Sequence, residues 1–201
     1  MTATPAAPKP KRTRSRIILI SVIAGIVVLA LFAAGGVLIA HFVRGNADGA
    51  SADSGTTFTA PAGDYEVSFP GEPEISTVPQ TAGDYELELQ IATWTDGDEF
   101  YAVNSTVYPA EVMEQSLDDI LTNSVSGMVQ STPGATLIES EDTELDGAQA
   151  IGGSLAIDGT DGSGTMWFTL SVFNNTQYTL ISLGHDEAAH DAFVESFAFI
   201  Q

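Results

Sequence analysis

The chain has 201 residues, no cysteine, and a formal net charge of −21 at pH 7 from 27 acidic and six basic side chains. The missing cysteine excludes disulfides, thiolate metal sites, thiol nucleophiles and the lipid-bearing cysteine of a bacterial lipoprotein. All six Lys and Arg residues lie between Lys9 and Arg44, and all 27 acidic residues lie after Gly45. This acidic part of the chain opposes nucleic-acid binding, and it has no Lys or Arg with which to hold a phosphate group.

Residues 1–16 are rich in proline and basic residues, a composition typical of a disordered tail. The uncharged apolar stretch 17–43 would be about 40 Å long as a helix, which is enough to cross a bilayer. Five basic residues precede it and only Arg44 follows, so the positive-inside rule predicts a cytoplasmic tail and an extracellular C-terminal domain. The sequence therefore predicts a single-pass protein of the cell membrane, although a small-x-small pattern ending at Ala52 leaves open a cleavage site.

Residues 44–57 are small and polar and predict a flexible linker, after which an acidic domain occupies residues 58–201. The first part of the domain alternates apolar and polar residues, a pattern typical of strands with one buried face. The predicted strands are 65–69, a short edge strand at 75–78, then 85–91 and 100–108, with a hairpin turn at Asp96-Gly97-Asp98 between the last two.

Apolar residues recur every three to four positions from 113 to 128 and predict an amphipathic helix. Ser116 followed by Asp119 is close to a capping box, so we expect the helix to begin firmly at Leu117. Pro133-Gly134 is expected to end it.

The remaining sequence predicts antiparallel hairpins followed by a short helix. Apolar, β-branched runs joined by turn residues predict strands at 137–145, 150–157, 166–173 and 178–183. A final helix is predicted over 186–197 with Asp186 as its N-cap, and Phe199 and Ile200 are expected to bury at the sheet edge or the base of that helix. Antiparallel strands with helices between them predict an α+β fold, an antiparallel sheet flanked by two helices.

The run YEVSFPGEP at 65–73 resembles the opening of the PsbP/Mog1-like domains found in bacterial envelope and thylakoid-lumen proteins. Gly147 and Ala150 resemble a turn of those domains, and Ser196-Phe197 resembles their closing strand. The resemblance covers about residues 58–201 and implies an antiparallel sheet flanked by helices, without supplying a catalytic residue. Many envelope members are lipoproteins, whereas this chain has no cysteine and would be tethered by its apolar stretch.

Acidic residues cluster in two predicted turns, Asp96, Asp98 and Glu99 in one, and Asp158 and Asp161 in the other. Carboxylates are the ligands that calcium prefers. Neither turn has the spacing of an EF-hand loop, and both contain the glycine that a hairpin needs. Turn formation is therefore the favoured interpretation of both clusters.

Near the C-terminus lie four side chains of types that bind zinc, His185, Asp186, Glu187 and His190. The two histidines are five positions apart instead of the four that share a helix face, which favours a surface pair of Asp186 with His190. Asn104-Ser-Thr106 and Asn174-Asn-Thr176 fit the glycosylation sequon, which matters only in a host that glycosylates. The sequence accordingly assigns no catalytic, cofactor-binding or metal-binding residue.

These patterns predict a membrane-tethered, extracytoplasmic binding or accessory domain without catalysis. Its acidity would attract basic proteins or envelope components and loosely bound cations, but a bias towards solubility or salt adaptation explains the same composition. Two alternatives remain open. One is an envelope hydrolase that uses acidic residues on glycans, and the other is a cation-dependent adhesion or scaffold module.

Overall fold

The computed structural model describes residues 55–82, 85–159 and 162–200. The predicted tail at 1–16, the predicted transmembrane helix at 17–43 and most of the predicted linker lie outside the described residues. Within the described ranges, no helix has both the length and the hydropathy that a membrane crossing requires.

The described residues form ten β-strands and two α-helices. The helices are α1 (Leu117–Ser131) and α2 (Glu187–Glu195). The strands are β1 (Thr56–Thr59), β2 (Tyr65–Phe69), β3 (Glu74–Ala82), β4 (Tyr85–Asp96), β5 (Glu99–Val107), β6 (Ala135–Leu145), β7 (Ala148–Gly159), β8 (Gly162–Phe173), β9 (Thr176–Leu183) and β10 (Ala198–Phe199).

These strands form two antiparallel sheets instead of the single sheet that the sequence predicts. The larger sheet has the strand order β3-β4-β5-β9-β8-β7-β6, and the smaller has the order β1-β2-β10. The two halves of the larger sheet meet where β5 pairs with β9, at Val103 opposite Leu180. The predicted α+β class with antiparallel pairing and two helices is confirmed.

The larger sheet is the middle layer of the domain, with a core cluster on each of its faces. Successive side chains of a strand point to opposite faces, so neighbouring residues of one strand belong to different clusters. On β5, Ala102 packs in a core cluster with Ile120 and Met128 of α1. Its neighbour Val103 packs in a second cluster with Phe69 of β2 and Phe193 of α2. Helix α1 therefore covers one face of the larger sheet, while α2 and the smaller sheet cover the other.

Helix α1 begins at Leu117, as predicted, because the Ser116 hydroxyl accepts a hydrogen bond from the backbone N–H of Asp119 at 3.1 Å.

The turn after helix α1 needs a glycine at position 134. Gly134 has a φ of +74°, and a Cβ at this position would lie 2.1 Å from the carbonyl oxygen of Asp158.

Helix α2 is capped by Asp186, whose carboxylate accepts a hydrogen bond from the N–H of Ala189 at 3.0 Å. It ends at Glu195, because Ser196 forms the C-cap. The predicted closing strand at 196–197 is therefore wrong by two residues. The closing strand is β10, which pairs with β2 by placing Phe199 opposite Tyr65.

The structure contains one strand that the sequence does not predict, β1, and extends the predicted edge strand β3 past a proline. β1 begins at Thr56, two residues before the predicted start of the domain at Phe58, and pairs with β2. β3 continues through Pro79, which lies opposite Glu88 of β4. A proline is tolerated there because β3 is an edge strand of the larger sheet.

Candidate functional site

A groove of about 360 Å³ lies between helix α2 and the end of the larger sheet formed by β6, β7 and β8. Four carboxylates line it, Glu139 and Glu141 from β6 and Glu187 and Asp191 from α2. We call this feature the acidic groove. Its residues come from two segments of the sequence, 139–169 and 187–194, and the fold brings them together.

A β-bulge in β6 directs the first two of these carboxylates. Leu137 lies opposite Leu155 of β7, but the next pair is Glu139 opposite Ser154, so Ile138 has no partner on β7. Such an extra residue reverses which side chains face each side of the sheet.

The faces on either side of the bulge follow from the core packing. Leu155 belongs to the cluster under α1, so Leu137, directly opposite it, lies on that face. Leu145 belongs to the cluster on the α2 side. Since side chains alternate along a strand, Glu141 and Glu139 share the face of Leu145 and line the acidic groove.

Two adjacent glycines of β7 have different functions at this point. A Cβ on Gly153 would lie 2.3 Å from the carbonyl oxygen of Glu139 and 3.0 Å from the ring of Phe168, so only glycine fits against the bulge. A Cβ on Gly152 would meet the Thr143 methyl group at 3.3 Å, a tight contact that a small shift of this exposed side chain relieves, and the Thr169 hydroxyl at 3.8 Å, an ordinary contact. Gly152 therefore keeps the floor of the acidic groove open.

His190 fixes helix α2 to the base of the acidic groove. It is buried, with 4% of its surface exposed. Its Nε2 lies 3.0 Å from the Thr169 hydroxyl on β8, and its Nδ1 lies 2.9 Å from the Ser182 hydroxyl on β9. A neutral imidazole donates one hydrogen bond and accepts another, and hydroxyls complement both functions. Burial lowers the pKa of His190 to about 4, so the ring is neutral at pH 7.

No protein-family model matches the sequence, and no curated protein matches it. Among solved structures, CyanoP, the cyanobacterial PsbP of Synechocystis sp. PCC 6803, is similar with a TM-score of 0.51 and 15% identity, over 78% of this chain and 99% of CyanoP. The described domain has a PsbP-like fold. The predicted resemblance to PsbP/Mog1-like domains is thereby confirmed at the level of the fold.

A second solved structure is LpqN of Mycobacterium tuberculosis, described as involved in cell envelope biogenesis. It matches with a TM-score of 0.43 and 10% identity, over 74% of this chain and 87% of LpqN.

The predicted surface pair of Asp186 and His190 is wrong in the PsbP-like domain. The Asp186 carboxylate caps α2, while the His190 ring points into the sheet and binds two hydroxyls there. Within the ranges that the structure describes, no group of three or more His, Asp or Glu side chains is placed to hold a metal ion.

His185 lies in different surroundings from His190. Its ring stacks on Tyr101 with the ring centroids 4.4 Å apart, and its carbonyl oxygen accepts a hydrogen bond from Trp167 Nε1 at 3.2 Å. Burial lowers the pKa of His185, against the opposing influence of Glu99 and Asp186. The pKa of Tyr101, on which His185 stacks, is raised to about 12, because burial and the negative charges of Glu99 and Asp186 all disfavour the phenolate.

The structure describes one of the two acidic turns in full and the other only in part. The turn between β4 and β5 contains Gly97 with a φ of +56°, a conformation that favours glycine and agrees with the predicted hairpin. In the other turn Asp158 belongs to β7, while Asp161 lies outside the described residues.

The two glycosylation sequons differ in the exposure of their asparagines. Asn104 is 1% exposed on the central strand β5, and neither its amide nitrogen nor its amide oxygen has a hydrogen-bond partner in the described part of the chain. A glycan on Asn104 is therefore incompatible with the folded domain. Asn174 is exposed in the turn between β8 and β9, where it has a φ of +48°.

Proposed function

We propose that the chain is a membrane-tethered binding domain of the cell envelope whose acidic groove binds a basic segment of another envelope protein. The main support for this proposal is that four carboxylates from β6 and α2 line one concave surface. Residues 45–201 contain no Lys or Arg, so the domain itself supplies no cation to neutralise them. A Lys or Arg side chain from a partner would do so.

The environment of His190 favours binding over catalysis. A general base needs a free acceptor nitrogen near its substrate. Both ring nitrogens of His190 bind hydroxyls inside the domain, Nε2 that of Thr169 and Nδ1 that of Ser182. This histidine therefore stabilises the wall of the acidic groove and keeps its shape.

The sequence supports the cellular setting of this proposal. The apolar stretch 17–43, with basic residues mainly on its N-terminal side, would hold the domain on the outer face of the membrane. The linker that follows would let the acidic groove reach proteins beside the membrane. Attraction between exposed charges weakens with salt, so binding through this groove is expected to fall as ionic strength rises.

A site-specific photo-crosslinking experiment in intact cells tests the proposed function. A photoreactive amino acid replaces Thr143, which is exposed at the acidic groove, or Thr77, which is exposed on the opposite edge strand β3. We expect the probe at position 143 to capture an envelope protein through a segment rich in Lys and Arg, identified by mass spectrometry of the crosslinked peptide. The combined substitution Glu139→Gln and Glu141→Gln is expected to remove this product.

The probe at position 77 serves as the matched control. Equal capture of the same segment from positions 77 and 143, or capture through segments without basic residues, would contradict the proposal.

A further inference from the structure

The strand that carries two of the groove carboxylates is also an open edge of the larger sheet. Among the described strands, β6 pairs only with β7. From Thr136 to Glu144 every residue of β6 is exposed. An edge strand presents unpaired N–H and C=O groups on its outer side, and an extended peptide can pair with them.

The two edges of the larger sheet are protected in different ways. β3 contains Pro79, which has no N–H to donate. β6 contains no proline, and its bulge at Ile138 leaves a regular run from Glu139 to Glu144. Acidic side chains along this run repel a second copy of the same acidic domain, whereas they attract a basic strand.

The geometry of strand pairing connects this edge with the acidic groove. A strand added to β6 would lie about 4.8 Å away, with alternate side chains on the α2 face. On that face β6 presents Glu139 and Glu141, and α2 presents Asp191. Lys or Arg at alternate positions of the added strand would lie beside these carboxylates, as opposite charges do in cross-strand pairs.

We propose that the basic partner segment binds in an extended conformation as an additional strand on β6, with Lys or Arg at alternate positions directed into the acidic groove. The six residues from Glu139 to Glu144 would pair over about 20 Å. This inference rests on the proposed function, since it specifies how the acidic groove recognises its partner. Main-chain hydrogen bonds supply affinity, and the alternate basic side chains supply selectivity.

Backbone methylation of a probe peptide tests this mode of binding. The probe is the fluorescent peptide Lys-Val-Lys-Val-Lys-Val-Lys, and the protein is the full chain in nanodiscs of neutral phosphatidylcholine at low salt. Only every second N–H of an added strand faces β6. N-methylation of either the Lys amides or the Val amides is therefore expected to weaken binding about tenfold or more, while methylation of the other set changes it less than about threefold.

A peptide of the same composition with the lysines in adjacent pairs is the control for charge alone, and we expect it to bind more weakly. Equal effects of the two methylated sets would overturn strand addition. If the Glu139→Gln and Glu141→Gln pair still abolished binding in that case, the acidic groove would remain the binding site. If that pair had no effect either, the proposed function would fail together with this inference.

Discussion

Replacing Gly153 with alanine is expected to lower the free energy of unfolding by about 2–3 kcal/mol, because the added methyl group forces the backbone to shift. The new Cβ would lie 2.3 Å from the carbonyl oxygen of Glu139, at the bulge that directs β6. Urea unfolding of the full chain in nanodiscs, followed by the fluorescence of Trp94 and Trp167, measures the change.

The neighbouring substitution Gly152→Ala is the matched control. Its added Cβ would meet Thr143 at 3.3 Å, and alanine is favoured over glycine in a strand by about 0.5–1 kcal/mol. We therefore expect the stability of this variant to stay within about 1 kcal/mol of the wild type. Equal losses in the two variants would show that the backbone at the bulge is not packed against Gly153.

The His190→Gln variant is expected to reduce the dependence of stability on pH. The pKa of His190 is lowered from 6.5 to about 4 by burial, so between these values the unfolded chain binds a proton that the folded chain does not. The stabilising contribution of the neutral ring is complete above pH 6.5 and is lost as the pH falls to 4. The loss amounts to about 3 kcal/mol.

The measurement is the difference in the free energy of unfolding between wild type and His190→Gln at several pH values from 7.5 to about 4. The many carboxylates of the domain titrate in both proteins, so their contribution cancels in the difference. Ionic strength is held constant because it screens the same carboxylates. Parallel stability curves for the two proteins would contradict the buried, neutral state of His190.

Local patterns in the sequence predict the elements that depend on neighbouring residues. Ser116 and Asp186 are the N-caps of α1 and α2, as their positions in the sequence indicate. The predicted turns also adopt the conformations that their residues favour. Asp146 and Gly147 have φ values of +47° and +77°, and the two asparagines that follow β8 also have positive values.

The division into two sheets depends on contacts between distant residues, which no local pattern indicates. β2 pairs with β10 at the other end of the domain, at Glu66 opposite Ala198. The aromatic rings of Tyr65 and Phe197 stack beside this pairing with centroids 5.3 Å apart. Alternation alone shows that one face of β2 is buried, without showing which strand it joins.

The acidic groove was not predictable for a related reason. Alternation along the predicted strand 137–145 places Leu137, Glu139 and Glu141 on one face, whereas the bulge separates Leu137 from the other two. The adjacent apolar pair Leu137-Ile138 is a break in alternation and is the one local signal of this bulge. The position of His190 depends likewise on Thr169 and Ser182, which come from two different strands.

Two double variants of β6 test most directly whether one face of this strand recognises a basic segment. Glu139→Gln with Glu141→Gln removes two charges from the α2 face, and Asp142→Asn with Glu144→Gln changes the net charge equally through the same strand. All four side chains are exposed, but only the first two line the acidic groove.

The measurement is the affinity of the full chain for the alternating Lys-Val peptide at low salt. We expect the first double variant to bind about five- to tenfold more weakly, as the loss of two opposite-charge pairs implies, and the second to stay within about twofold of the wild type. Equal weakening by both double variants would show that the domain attracts basic peptides only through its net charge, and would contradict recognition by the acidic groove.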